Sequence, residues 1–135
     1  MQKAGKIRHL GLSNVSVAQL EQARDIAPVV SVQNSYSLDN RSSEPVLRAC
    51  ERFGIAFLPW YPLAAGAALK SAKVKRVAVR CNATPAQVCI AWLLAKSPAM
   101  LPIPGTGSLA HLEENAAAAR LRLAPEDVAA LDPAT

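Results

Sequence analysis

The sequence predicts an α/β fold of four consecutive βα units, and three observations carry that prediction. Short apolar, β-branched runs recur along the chain, and amphipathic stretches with recognisable helix starts separate them. Strand-like and helix-like segments alternate, an order that implies a parallel sheet covered by helices. Each unit takes ~30–35 residues, the length of one βα repeat.

The elements follow in order. Ile7-Arg8-His9-Leu10-Gly11-Leu12-Ser13 alternates around Ile and Leu and stops at Ser13-Asn14, which marks a first strand. Ser16 or Asn14 caps a helix through Arg24, with Val17, Leu20 and Ala23 at helical spacing. After Pro28, Val29-Val30-Ser31-Val32-Gln33 makes a second strand. Ser42-Ser43-Glu44-Pro45 opens a helix with Val46, Leu47, Cys50 and Phe53 on one face, and Gly54 ends it. Ile55-Ala56-Phe57-Leu58-Pro59-Trp60 is the third strand, followed by an Ala- and Lys-rich stretch, Ala64 to Asn82, with one helix in it. Thr84-Pro85-Ala86-Gln87 is a capping box for a helix to Lys96 that faces Val88, Ala91, Trp92 and Ala95 inward. Met100-Leu101-Pro102-Ile103-Pro104 is the fourth strand. Ser108 then caps a helix through Arg120, and a last helix starts near Pro125-Glu126-Asp127 with Val128 and Leu131 on its inner side.

With 135 residues, 51% hydrophobic and 19% charged, residues 1–135 make one domain. A complete (β/α)8 barrel takes ~250 residues, so the chain holds about half of a TIM-type barrel. Apolar content of this size excludes disorder, and the low Gly count and absent period exclude collagen-like and repeat chains. No apolar stretch nears the ~20 residues of a membrane span. Met1-Gln2-Lys3-Ala4-Gly5-Lys6 has no apolar run behind its charges, so no signal peptide and a cytoplasmic, membrane-free chain are expected. Cys50, Cys81 and Cys89 are odd in number and lack metal-site spacing, which argues against a disulfide framework and a metal. The net charge of +5 raises a nucleic-acid reading. Its densest cluster, Lys70, Lys73, Lys75, Arg76 and Arg80, has only Trp60 and Tyr61 near it in sequence, and aromatics are 4% of the chain. That is a solvated helix face, so no nucleic acid is expected as partner, while a small phosphorylated ligand suits the basic surface.

Position says more than composition. The strands end in Ser13-Asn14, Gln33-Asn34, Trp60-Tyr61 and Gly105-Thr106-Gly107-Ser108. In parallel α/β folds those ends share one rim, where ligands bind. Carboxamides can pair with an amide, an aromatic plate can stack on a ring, and a Gly-rich turn opening a helix can meet a phosphate. Together they describe a nucleotide that carries an amide-bearing ring.

Four blocks, Gly-Lys-Ile-Arg-His-Leu-Gly-Leu-Ser-Asn (5–14), Val-Gln-Asn-Ser-Tyr-Ser (32–37), Trp-Tyr-Pro-Leu-Ala (60–64) and Ile-Pro-Gly-Thr-Gly-Ser…Glu-Glu-Asn (103–115), resemble in order and spacing the C-terminal half of aldo/keto reductases. The resemblance runs nearly from end to end. It implies a (β/α)8 barrel and hydride transfer from NADPH to a small carbonyl substrate. Ser13 and Asn14 match the pair that bonds the nicotinamide carboxamide, assisted by Gln33. Trp60 stands where an aromatic, commonly Tyr, stacks on the nicotinamide ring, and Tyr61, Pro62 and Leu63 match the segment along the pyrophosphate. Gly105, Thr106, Gly107 and Ser108 match the turn around the adenosine phosphate, His111 a frequent Arg at the 2′-phosphate, and Glu114 and Asn115 residues at the adenine. Gly105 also replaces a Lys that many relatives aim at that phosphate, so NADP is expected as cofactor with NAD as its alternative.

The family's Asp, Tyr, Lys and His tetrad belongs to the first four strands, outside this chain, so no catalytic residue is assigned here. Tyr36 and Tyr61 have no neighbouring Lys and Asp at strand ends to tune them, and Cys50 and Cys89 sit on apolar helix faces. Four strands leave open edges at Ile7 and Ile103 and an inner face expected to be apolar. The chain should therefore self-associate, closing a pseudo-barrel from two copies, or take a separate N-terminal half as partner. The alternative to a reductase is a catalytically silent nucleotide-binding or assembly module, a truncated or split gene product with Met1 as an internal start.

Overall fold

The computed structural model describes residues 1–132; residues 133–135, the end of the expected domain, lie outside them. Strand and helix alternate as β1 (Leu10–Ser13), α1 (Val17–Ile26), β2 (Val29–Ser35), α2 (Glu44–Phe53) and β3 (Ala56–Trp60). Then come α3 (Ala72–Arg80), α4 (Pro85–Lys96), α5 (Leu109–Ala117) and α6 (Pro125–Leu131). Single 3-10 turns at Ala64–Gly66 and Ala68–Lys70 lead from β3 into α3, and another at Ala118–Arg120 follows α5.

Local chemistry sets the boundaries. Ser16 Oγ accepts the Gln19 N–H at 3.3 Å while Gln19 Oε1 accepts the Ser16 N–H at 2.8 Å, a reciprocal cap on α1. Thr84 and Gln87 repeat it on α4 at 3.2 and 3.0 Å. Gly54 ends α2 at φ +64°, a left-handed position that costs glycine little.

The sheet has the order β1-β2-β3, all parallel, with Ser13 opposite Gln33, Gln33 opposite Leu58 and Ser35 opposite Trp60. The fourth strand expected over Met100–Pro104 is reduced to one parallel bridge between Phe57 and Met100. Phe57 N–H donates to the Ala99 carbonyl and Leu101 N–H to the Phe57 carbonyl, both at 2.8 Å. The next bond of that ladder would run from residue 59 of β3 to the Leu101 carbonyl, and Pro59 carries no N–H, so the ladder stops there. Pro102 and Pro104 fall on the side of the segment that faces away from β3.

Alternation sorts the faces. Val32, Asn34 and Tyr36 are buried under the helices, whereas Ser31, Gln33 and Ser35 between them face the other way. The helix-side core includes Leu20, Val32, Leu47, Phe57, Val77, Val88 and Leu93, with Trp92 among them. The Tyr36 ring stacks on Trp92 at 6.2 Å and 10°, and Arg41 and Lys96 lie over the indole. The indole N–H donates to Asp132 Oδ1 at 3.1 Å, and Arg41 and Lys96 pair with the same carboxylate at 3.0 and 3.4 Å. Burial acts to raise the Asp132 pKa, but Lys96, the Trp92 N–H and Arg41 outweigh it and hold the carboxyl below its usual range. The buried thiols Cys50 and Cys89 are pushed up by burial to about 11 and about 12, which makes them poor nucleophiles.

The inner face differs from expectation. Beside the apolar Leu58, Leu101 and Ile103 it presents Gly11, Ser13, Ser31, Gln33 and Ser35, so more than half of these residues are small or polar. Strands β1 and β2 crowd there: a Cβ on Gly11 would lie 2.4 Å from Ser31 Oγ. Lys73, Lys75, Arg76 and Arg80 occupy the exposed side of α3, opposite Val74, Val77 and Ala78, and Arg80 pairs with the buried Asp127 of α6. Among the described residues no single helix is long and apolar enough to cross a membrane.

Candidate functional site

Because the strands are parallel, the ends of β1, β2 and β3 lie along one edge of the sheet. Ser13, exposed, stands in register with Gln33, half-buried on the inner face. Asn14 follows at φ +56°, a left-handed conformation that asparagine tolerates, and donates its N–H to the Gln33 carbonyl at 3.0 Å. Trp60 Nε1 donates to Asn14 Oδ1 at 2.9 Å across the intervening strand. Tyr61 turns away from β3 at φ +61°, its ring edge-on to Trp60 at 5.9 Å. Ser13, Asn14, Gln33 and Trp60 thus come together, with the exposed ring of Tyr61 beside them, while Pro62 is buried and Leu63 half-buried.

Two polar residues named with these strand ends lie elsewhere. Asn34, 6% exposed, donates Nδ2 to the Val15 carbonyl at 2.8 Å and accepts the Val15 N–H at 3.1 Å. It is a bracket that holds the turn carrying Asn14. Tyr36 is fully buried and its hydroxyl donates to Glu44; burial first, then Glu44, raises its pKa above the ordinary phenol range. Among the described residues no group of three or more His, Cys, Asp or Glu side chains is placed to hold a metal ion.

A second cluster lies past the fourth strand end. Gly105, Thr106, His111, Glu114 and Asn115 line a pocket of about 150 Å³ together with Leu63, Leu69 and Ala86. Gly107 is exposed beside it, and Ser108 caps α5 by accepting the His111 N–H at 3.4 Å. Thr106 Oγ1 accepts the Ser108 N–H at 3.1 Å. Two donors expected to be open in this turn are therefore engaged, which leaves the first-turn N–H groups of Leu109 and Ala110. Glu114 is tied to α4: its carboxylate accepts the Thr84 hydroxyl, and its carbonyl accepts Gln87 Nε2 at 3.2 Å. Leu69 and Ala86 escape sequence reasoning, since no motif marks them and packing alone brings them to the pocket.

Comparison with known proteins decides the family. The aldo/keto reductase family profile matches residues 1–135. The chain belongs to the aldo/keto reductase family. An uncharacterized oxidoreductase of Schizosaccharomyces pombe is 49% identical over 133 residues, which cover 98% of this chain and 44% of that protein. Pyridoxine 4-dehydrogenase of Escherichia coli is 46% identical, covering 98% of this chain and 46% of the relative. A thermostable aldo-keto reductase solved with the inhibitor epalrestat superimposes with a TM-score of 0.88 at 34% identity, over 97% of this chain and 50% of that one. An aldo/keto reductase of Klebsiella pneumoniae, solved with NADP and acetate, gives 0.87 at 29% identity, over 96% of this chain and 49% of that one. The chain thus spans about half the length of the aldo/keto reductases it matches, and its open parallel sheet with helices on one side is half of a (β/α) barrel.

Proposed function

We propose that this chain is the dinucleotide-holding half of an NADP-dependent aldo/keto reductase, silent in chemistry until the rest of the barrel covers it. One observation carries the reading: Ser13, Asn14, Gln33 and Trp60 converge on one sheet edge, and the pocket at Gly105, Thr106, His111, Glu114 and Asn115 is reached along the chain that leaves the same edge through Leu63. The residues fit the cofactor. A carboxamide, a hydroxyl and an indole suit a nicotinamide, and a pocket of about 150 Å³ with mixed walls suits an adenine. Tyr61, Pro62, Leu63, Gly107 and Ser108 would line the path between them. His111 lines the pocket at the position of the relatives' frequent Arg, with NADP proposed as cofactor and NAD as its alternative. When bound, NADPH supplies the hydride that reduces a small carbonyl compound. Solved relatives carry NADPH or NADP in the corresponding fold. Three free cysteines suit a reducing, cytoplasmic setting.

The test mixes the chain with NADPH and nitrobenzaldehyde and follows the cofactor absorbance, alone and after adding the part of the Escherichia coli relative that this chain does not match. Saturable NADPH binding without turnover is expected alone, and turnover in the mixture. Absence of NADPH binding in both samples would refute the reading.

The partner is proposed from the open edges. The β1 edge and the Met100–Leu101 edge, with Leu58, Leu101 and Ile103 on the inner face, suit the missing half or a second copy. Light scattering at micromolar concentration should therefore give a dimer for the isolated chain. A strict monomer that melts cooperatively would rule out association by this route.

A further inference from the structure

We infer that Trp60 is a positioning residue that acts through Asn14 and fixes which group of a nicotinamide carboxamide the site receives; the inference rests on the dinucleotide reading above. An indole N–H can only donate, so the Asn14 atom 2.9 Å from Trp60 Nε1 is the amide oxygen. Asn14 Nδ2 then points away from the indole and keeps both its N–H donors.

The backbone beneath that amide is held on both sides. Asn14 N–H is bound to the Gln33 carbonyl at 3.0 Å, and Val15, the next residue, is bracketed by Asn34 at 2.8 and 3.1 Å. With the φ of Asn14 at +56°, what stays free is the rotation of its own side chain, and Trp60 removes that freedom. The rim accordingly offers a fixed donor, Asn14 Nδ2, to a carboxamide oxygen. Ser13 and Gln33, opposite each other in register, supply acceptors for its NH2 group. A Phe or Tyr at position 60 provides a ring to stack on but no N–H to turn Asn14. The single indole thus does two things: its face meets a ring and its edge sets an amide 46 residues away in sequence.

Calorimetry with NADPH and with adenosine 2′,5′-bisphosphate, which lacks the nicotinamide, tests this on the unaltered chain, W60F, N14A and the double variant. W60F should weaken NADPH binding about five- to tenfold, as expected for one lost oriented hydrogen bond, and leave the bisphosphate unchanged. In the N14A background the same substitution should cost less than about twofold, because its route of action is already gone. Equal weakening of both ligands, full additivity in the double variant, or NADPH binding by W60F equal to that of the unaltered chain each overturns the inference while the dinucleotide reading stands. An unaltered chain that binds neither ligand, alone or with the part of the Escherichia coli relative that it does not match, overturns the reading itself, and the inference with it.

Discussion

Trp92→Ala is expected to destabilise the chain by about 3–5 kcal/mol, the cost of emptying a large aromatic site in a core. Trp92 is fully buried, carries the stacked Tyr36 ring, and joins Arg41, Lys96 and Asp132 through its edge and faces. Domains of ordinary stability have about 5–15 kcal/mol in hand, and an open half-barrel has no second sheet half to fall back on. Urea unfolding of the variant should lose its cooperative transition. Trp92→Phe separates the parts: it keeps a ring and loses the N–H to Asp132, and should cost only about 1–2 kcal/mol. A Trp92→Ala chain within about 1 kcal/mol of the parent would show that the helix layer does not depend on this residue.

Asn34→Ala should cost about 2–4 kcal/mol and weaken NADPH binding as well, because the polar groups of Val15 lose both bonds to the side chain. The residue never touches the proposed ligand. Its effect on binding passes through the turn, since Val15 adjoins Asn14 and the freed turn no longer presents the Asn14 amide to Trp60. Denaturant unfolding measures the first effect and calorimetry with NADPH the second. A variant destabilised as expected but with unchanged NADPH affinity would separate the bracket from the site.

Much of this was legible in the residues, and what was not has physical reasons. The Ser16–Gln19 and Thr84–Gln87 boxes sit within one helical turn, and local signals of that kind mark α1 and α4 directly. The stretch from Ala64 to Asn82 holds the one helix expected in it, α3, but its Ala and Lys residues do not mark where that helix starts: Gly66 at φ +86° and two 3-10 turns come first. In the fourth strand the apolar pattern of Leu101 and Ile103 holds, but β3 has Pro59 where the ladder needs a donor to the Leu101 carbonyl. At the site, parallel order alone places Ser13, Gln33 and Trp60 on one edge. Which of Gln33 and Asn34 faces that edge depends on alternation: Asn34 falls on the helix side and becomes a bracket. The Trp60–Asn14 bond spans 46 residues and leaves no local trace.

The missing donors of Pro102 and Pro104 also govern how the chain behaves when crowded. A margin with a full row of N–H groups templates fibril growth, strand upon strand. On the Met100 side the outward positions are Met100, Pro102 and Pro104; the Met100 N–H is already bound to the Ser97 carbonyl and the prolines have none, so cross-β stacking finds no purchase there. Any amyloid-like growth must start from the opposite flank, at Leu10–Ser13, where no proline interrupts the strand.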